Sequence, residues 1–310
     1  MFTCLLKILH IHDQAGVACI LAKYQRMNDI KSKVLSSNKI DKYGILKFYK
    51  DYVDLVDRAN FVESCISEAK KADIIHIHSV EQLVIKIRKA LGNSKKIILH
   101  YHGTDIRGLK NKNNQSFFNI HNTKTRAKSF GAKVKNRLRL IQMGYYQPLQ
   151  TESQKLANEI LVSTPDLLLL LPHAKYLPNP VDVDHFLKDI TNHNKGNNNA
   201  LTIKTASGDI QKTLLYCNEN NINLKIDVLD RTKTPILYEE IPNFLKKYDV
   251  YVDIRIVNDK ILENFSKTAL ESLACGLKVL NYKLEYVYGL PDIHNPVNVT
   301  NELKNIYNKI

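Results

Sequence analysis

An α/β chain of two lobes is predicted by three observations. Short apolar strands alternate with helix-length segments, the alternation restarts near the middle of the chain, and strands such as Ile74-Ile75 and Ile97-Ile98-Leu99 suit a sheet covered on both faces. In the first half, Leu5 to Ile11 reads as a strand and Val17 to Met27 as the helix after it, with Gly16 at the turn. A helix near Ala59 to Lys71, a strand Asp73 to His78, a helix Val80 to Leu91 and a strand Lys96 to Tyr101 continue the pattern. Residues 111 to 150 form a basic excursion, loop and then helix from Ala132 to Met143, before a strand at Ile160 to Ser163.

The second half restarts at Asn179-Pro180. A strand Ala200 to Thr205, a helix Asp209 to Asn220, a strand Leu224 to Leu229, a helix Glu239 to Lys247 and a strand Val250 to Ile254 follow. A helix opened by Ser266 and a strand Lys278 to Asn281 complete a smaller lobe. The expected division is 1–178 and 179–310, with the final helix, Asn301 to Asn308, packing back on the first lobe. The Asn-rich stretch 194–199 reads as an exposed loop.

Composition excludes several classes. At 310 residues and 44% hydrophobic content the chain can bury two cores and is neither fibrous nor disordered. Its five cysteines are odd in number, scattered and free of any Cys-x-x-Cys pair, which fits a reducing, cytoplasmic setting. Met1 to Ile11 is interrupted by Lys7 and reads as a strand, not a signal sequence, and the leucine run 167–171 is too short to cross a bilayer. The net charge is +14, and no acidic residue stands between Asp105 and Glu152, where ten lysines and arginines fall. Such a face suits an anionic membrane surface, an acidic glycan or nucleic acid, or simply keeps the protein in solution.

The most informative run is 263–276, ENFSKTALESLACG. Ser266 is a good N-cap, Thr268 to Cys275 a plausible two-turn helix and Gly276 its stop. A helix start collects free N–H groups suited to phosphate, with Glu263 just before it and Glu271 within it able to accept sugar and ribose hydroxyls. The plainer alternative is a solvated Lys267–Glu271 pair at i,i+4.

This run resembles the Glu-x7-Glu signature of the family 4 (group 1) retaining glycosyltransferases of GT-B fold, with Asn264 and Ser266 where that signature has glycines. His100 to Arg107, HYHGTDIR, resembles the family's HGTD loop, and 163–167 with 177–182, STPDL and LPNPVD, resembles its interdomain segment. The resemblance implies two facing Rossmann-like lobes and transfer of a sugar from a nucleotide-diphosphate sugar to a glycan or lipid-linked acceptor, with retention and without a metal or other cofactor. It implies that Glu263 orients the sugar, that His102 lies beside the anomeric centre, and that Asn264, Phe265, Ser266, Lys267, Thr268 and Glu271 hold the donor. Gly16 would let the chain approach the diphosphate. The family's Gly-Arg-x4-Lys-Gly string is missing, so Arg255 and Lys267 are expected to supply its positive charge. No nucleic-acid partner is expected, and attachment to the inner face of a membrane is a further expectation. Two other classes stay open: a catalytically weak partner subunit, and a polyanion-binding protein in which Phe117, Phe118, Tyr145 and Tyr146 lie among basic residues.

Two constellations compete with this reading. His10-Ile11-His12, His76-Ile77-His78 and His100-Tyr101-His102 each end a strand, so i and i+2 share a face and zinc is conceivable, but no His-Glu-x-x-His helix or carboxylate cluster supports it and satisfied crevice histidines are the favoured reading. Asp182-Val183-Asp184 resembles a metal-binding string but sits in the interdomain segment, where it is read as a decoy.

Overall fold

The computed structural model describes residues 5–38, 41–103, 105–106, 151–187, 199–204, 208–231, 233–257 and 259–310. The basic segment 107–150, with the helix expected at 132–143 and its four aromatic residues, lies outside the described residues, as do Thr104 and 194–198. Strands β1 (Lys7–Ile11), β2 (Lys31–Ser37), β3 (Val53–Val56), β4 (Ile74–His78), β5 (Lys96–Tyr101), β6 (Glu159–Val162) and β7 (Lys175–Tyr176) form one sheet. Its order is β3-β2-β1-β4-β5-β6-β7, and every pairing is parallel. All residues of β4 are buried, as a sheet covered by helices on both faces requires.

A second sheet follows from β8 (Asn199–Ile203), β9 (Lys225–Leu229) and β10 (Val250–Val252). After a short hairpin of β11 (Ile256–Val257) and β12 (Lys260–Ile261) come β13 (Lys278–Leu280) and β14 (Tyr286–Val287). The order is β14-β13-β10-β8-β9, parallel except where β14 closes antiparallel on β13.

The last helix spans Pro296–Tyr307, five residues earlier than the sequence suggested. Asn295 accepts from the Val297 N–H at 3.0 Å and Pro296 occupies the first turn, a start signal that depends on cap chemistry and not on apolar spacing. Its Val299, Leu303, Ile306 and Tyr307 lie one above the other at helical spacing and pack on Ile8, Val17, Leu21, Ile74, Ile98 and Leu161 beside the first sheet.

Between the sheets runs a shared core. Ala18, Cys19, Ala22, Tyr24 and Tyr49 pack in one cluster with Tyr238, Leu245, Leu270, Leu273 and Val279. Polar links cross the same boundary: the Tyr238 N–H donates to the Tyr43 carbonyl at 2.7 Å, and the Tyr49 and Tyr238 hydroxyls meet at 3.1 Å. Asp182, fully buried, accepts from Lys23 at 2.6 Å and from the Tyr49 hydroxyl at 2.8 Å. Lys23 also pairs with Asp184 at 3.0 Å, so both carboxylates of the Asp-x-Asp string are held by one ammonium.

Candidate functional site

The loop leaving β1 carries three residues in the left-handed region, His12 (φ 68), Ala15 (φ 55) and Gly16 (φ 82). Asp13 holds the loop, accepting from the Gly16 N–H at 2.7 Å and the Cys19 N–H at 3.2 Å. Gly16 meets two demands. Its φ disfavours a side chain, and a Cβ there would stand 3.5 Å from Ile45 and 3.7 Å from the Lys267 ammonium.

Lys267 opens the helix Lys267–Ala274 from the second lobe. Ser266 caps that helix by accepting from the Ala269 N–H at 3.0 Å. The ammonium is buried and has no hydrogen-bond partner among the described residues. Burial pushes its pKa down, while Glu271, Asp13 and Asp182 pull it back up. Glu271, four residues on, is buried too, and burial raises its carboxyl against the pull of Lys267 and Arg231. The first-turn N–H groups of Lys267 and Thr268 have no partner within the helix. A buried cation with no hydrogen-bond partner among the described residues, beside two first-turn N–H groups and a glycine turn, matches an anion of diphosphate kind.

The remaining predicted donor residues are placed differently. Arg255, expected to meet the diphosphate, donates to the Asn264 carbonyl and to Asn264 Oδ1 (2.7 Å) and stands 3.2 Å from Asp253. Its charge is spent on a buried carboxylate of its own lobe. Asn264, expected to line the donor, is buried and uses both ends of its amide in structure, since Nδ2 donates across the lobes to Asp166 at 2.7 Å. The Ser266 N–H, expected to meet phosphate, donates to Asp253 at 2.8 Å. Phe265 packs against the shared core. Glu263 is exposed, just before the helix.

His102 lies at the end of β5, close enough to Lys267 and His12 for both charges to depress it. Its loop is fixed by Asp105, which accepts from the His102 N–H at 2.9 Å, the Gly103 N–H at 2.7 Å and the Ser79 hydroxyl at 2.7 Å. Both ring nitrogens are engaged: Nδ1 with Ser163 Oγ at 2.7 Å, Nε2 with His78 Nδ1 at 3.0 Å. Burial, then Lys267, holds its pKa at about 3. Among the described residues two histidine triplets, 10/76/78 and 78/100/102, bring ligand atoms within 4.8 Å. The same nitrogens stand 3.0 to 3.2 Å apart in pairs, within hydrogen-bond distance of one another.

Arg231, just past the end of β9, was not singled out in the sequence. Its guanidinium lies 4.3 Å from the Tyr43 ring centroid, donates to the Ile236 carbonyl at 3.1 Å and keeps a buried Nε with no hydrogen-bond partner among the described residues. The signal was its place after an apolar strand at the carboxyl edge, where parallel sheets bind ligands. A hollow of about 530 Å³ at the amino ends of β1 and β2, lined by Ile8, Arg26, Lys31 and Glu68, lies away from all these groups.

No family model matches the sequence, and no curated protein matches it. An alpha-glucosyltransferase solved in complex with UDP and a 13-mer DNA containing a central A:G mismatch is similar with a TM-score of 0.52 and 12% identity, over 98% of this chain and 89% of that one. The chain has the GT-B fold. Less similar are an alpha-glucosyltransferase (AGT) in complex with UDP, at a TM-score of 0.48 and 12% identity over 88% and 80% of the two chains, and CalG4, the calicheamicin glycosyltransferase, at 0.40 and 8% over 98% and 90%. In this GT-B chain the Lys267 ammonium and the Gly16 turn face each other from opposite lobes.

Proposed function

We propose that this chain is a glycosyltransferase that takes a sugar from a nucleotide-diphosphate donor. The observation that carries the proposal is the Lys267 ammonium, buried opposite Gly16 with no hydrogen-bond partner among the described residues. In this reading Lys267, the N–H groups of Lys267 and Thr268, and Arg231 take the diphosphate. Glu271 takes the ribose, and Glu263 the sugar hydroxyls. His102 lies beside the anomeric centre.

The leaving diphosphate would be stabilised by these groups without a metal. Retention by front-face attack, with the leaving oxygen receiving the acceptor proton, follows the family 4 resemblance. The acceptor would be a glycan or a lipid-linked group, reached from the lobe of 1–178, with 179–310 holding the donor. A cytoplasmic protein resting on anionic lipid through the cations of 107–150 completes the proposal.

A second reading of the acceptor, a polyanion such as DNA, is favoured by the net charge of +14 and by the acid-free stretch between Asp105 and Glu152. The similar alpha-glucosyltransferase was solved with DNA as well as UDP.

The test is a calorimetric screen of nucleoside diphosphates and nucleotide sugars, UDP first, on the full chain and on Lys267→Met. Saturable binding by the first and at least tenfold weaker binding by the second is expected. Binding by neither would defeat the donor site. Binding without any transfer would favour a catalytically weak partner subunit, and salt-sensitive DNA retention without nucleotide binding would favour a plain polyanion binder.

A further inference from the structure

Five histidines, four of them buried and His102 half-buried, form part of a closed ring of eight hydrogen bonds. The amide of Gln25 gives it a starting direction, because an NH2 only donates and a carbonyl only accepts. Gln25 Nε2 donates to the Tyr307 hydroxyl at 3.2 Å. That hydroxyl must then donate to His76 Nδ1, 3.1 Å away. His76 Nε2–H in turn donates to His100 Nδ1 (3.2 Å), and His100 Nε2–H to Ser163 Oγ (3.0 Å). The Ser163 hydroxyl donates to His102 Nδ1 (2.7 Å), His102 Nε2–H to His78 Nδ1 (3.0 Å), and His78 Nε2–H to His10 Nδ1 (3.0 Å). His10 Nε2–H closes the ring on Gln25 Oε1 at 2.8 Å, where the Ser32 hydroxyl also donates at 2.6 Å.

Each of the eight groups donates once and accepts once, so eight protons fill eight links and no imidazole carries a second proton. The strand register builds this ring, with His10 opposite His76 on β1 and β4, and His78 opposite His100 on β4 and β5. Tyr307 enters from the last helix, and Ser163 from the end of β6.

We propose that Gln25 and Tyr307 are positioning residues for His102: they orient and close a one-way hydrogen-bond ring that holds it as a neutral Nε2–H imidazole with both nitrogens occupied. His102 then serves the site through the fixed placement of its ring and loop, and not as an acid, a base or a metal ligand. That last step rests on the glycosyltransferase reading, whereas the ring and its sense do not.

The test is two-bond proton–nitrogen NMR of the full-length labelled protein near neutral pH, with metal analysis of the same sample. Five histidines with protonated Nε2 and bare Nδ1, and no stoichiometric transition metal, are expected. Tyr307→Phe removes the only ring donor to His76 Nδ1, and His102, four links away, should lose its single tautomer. Should that variant fail to fold, Gln25→Glu keeps the side-chain shape but accepts from both neighbours, so the ring cannot run one way and one histidine should gain a second proton. Five protonated Nδ1 signals would mean the opposite sense, bound zinc would mean ligands in place of a ring, and unchanged signatures in both variants would mean no ring control. Each overturns the proposal. None of these readouts uses a nucleotide, so UDP affinity reports separately on the proposed function.

Discussion

Asn264 joins the two lobes through Asp166, its amide NH2 donating to the carboxylate at 2.7 Å while its carbonyl end takes Arg255. The family 4 signature that this run resembles has glycine at this position, whereas here the side chain is a brace. Arg255→Gln should cost about 3 kcal/mol, because it strands the buried Asp253 carboxylate. Denaturant melts of this variant and of Asn264→Ala, expected to lose about 2 kcal/mol, decide the matter. A fully stable Arg255→Gln that no longer binds nucleotide would return Arg255 to the donor site.

Lys267 should behave in the opposite way. Its buried ammonium makes no hydrogen bond among the described residues, so Lys267→Met relieves its desolvation while taking a charge from Glu271, Asp13 and Asp182; the melting temperature should move less than in Arg255→Gln, while diphosphate binding falls at least tenfold, about 1.4 kcal/mol. Its pKa is lowered by burial, and an arriving diphosphate would raise it, so binding should take up protons and weaken as pH rises through that lowered value. Calorimetry in buffers of different ionisation enthalpy measures the uptake. A binding heat independent of the buffer would count against it.

Acid should unfold the protein early. His10 is held at about 4 and His102 at about 3, and His76, His78 and His100 lie well below the ordinary 6.5, all chiefly through burial. The unfolded chain therefore binds more protons than the folded one below about pH 6.5, and stability falls with pH by about 1.4 kcal/mol per unit for each histidine. Asp253 and Glu271, whose pKa values burial raises, act the other way as pH nears the carboxylate range. They are two groups against five. A melting temperature that holds steady from pH 7 to pH 5 would contradict the neutral histidine cluster.

Chelation should spare any transfer activity, since Asp182 and Asp184 are both held by Lys23 and the histidine nitrogens are engaged with one another. Rates measured before and after EDTA test this. A loss restored by manganese or magnesium would point to ligands among those residues.

The sequence revealed those elements whose stability is local or apolar. The helix Val17–Met27 and the strand Lys96–Tyr101 were bounded as they stand, and Ser266 and Gly276 marked the two ends of one helix through their cap chemistry. It hid β2, whose polar KSKVLSS sequence buries Ser32 because Gln25 on the adjacent helix accepts from it. Within the site, Gly16 and Lys267 were legible as types, but their approach was not, because it depends on two lobes meeting. Arg255 misled for the same reason: a cation at a strand end looks available until Asp253 and Asn264 are seen around it.

The core between the sheets has a consequence for how the molecule comes apart. Tyr49 and Tyr238, 189 positions apart in the chain, share one hydrogen bond and one apolar cluster, and the last helix crosses back to cover the first sheet. Each half keeps one cluster of its own, but two others draw residues from both halves. Heating should therefore give a single calorimetric transition. A fragment ending at residue 178 should be insoluble, because it would lose the cap supplied by Leu303 and Ile306 as well as the partners of Tyr49. The two lobes should therefore unfold together even though the proposed reaction assigns them different substrates.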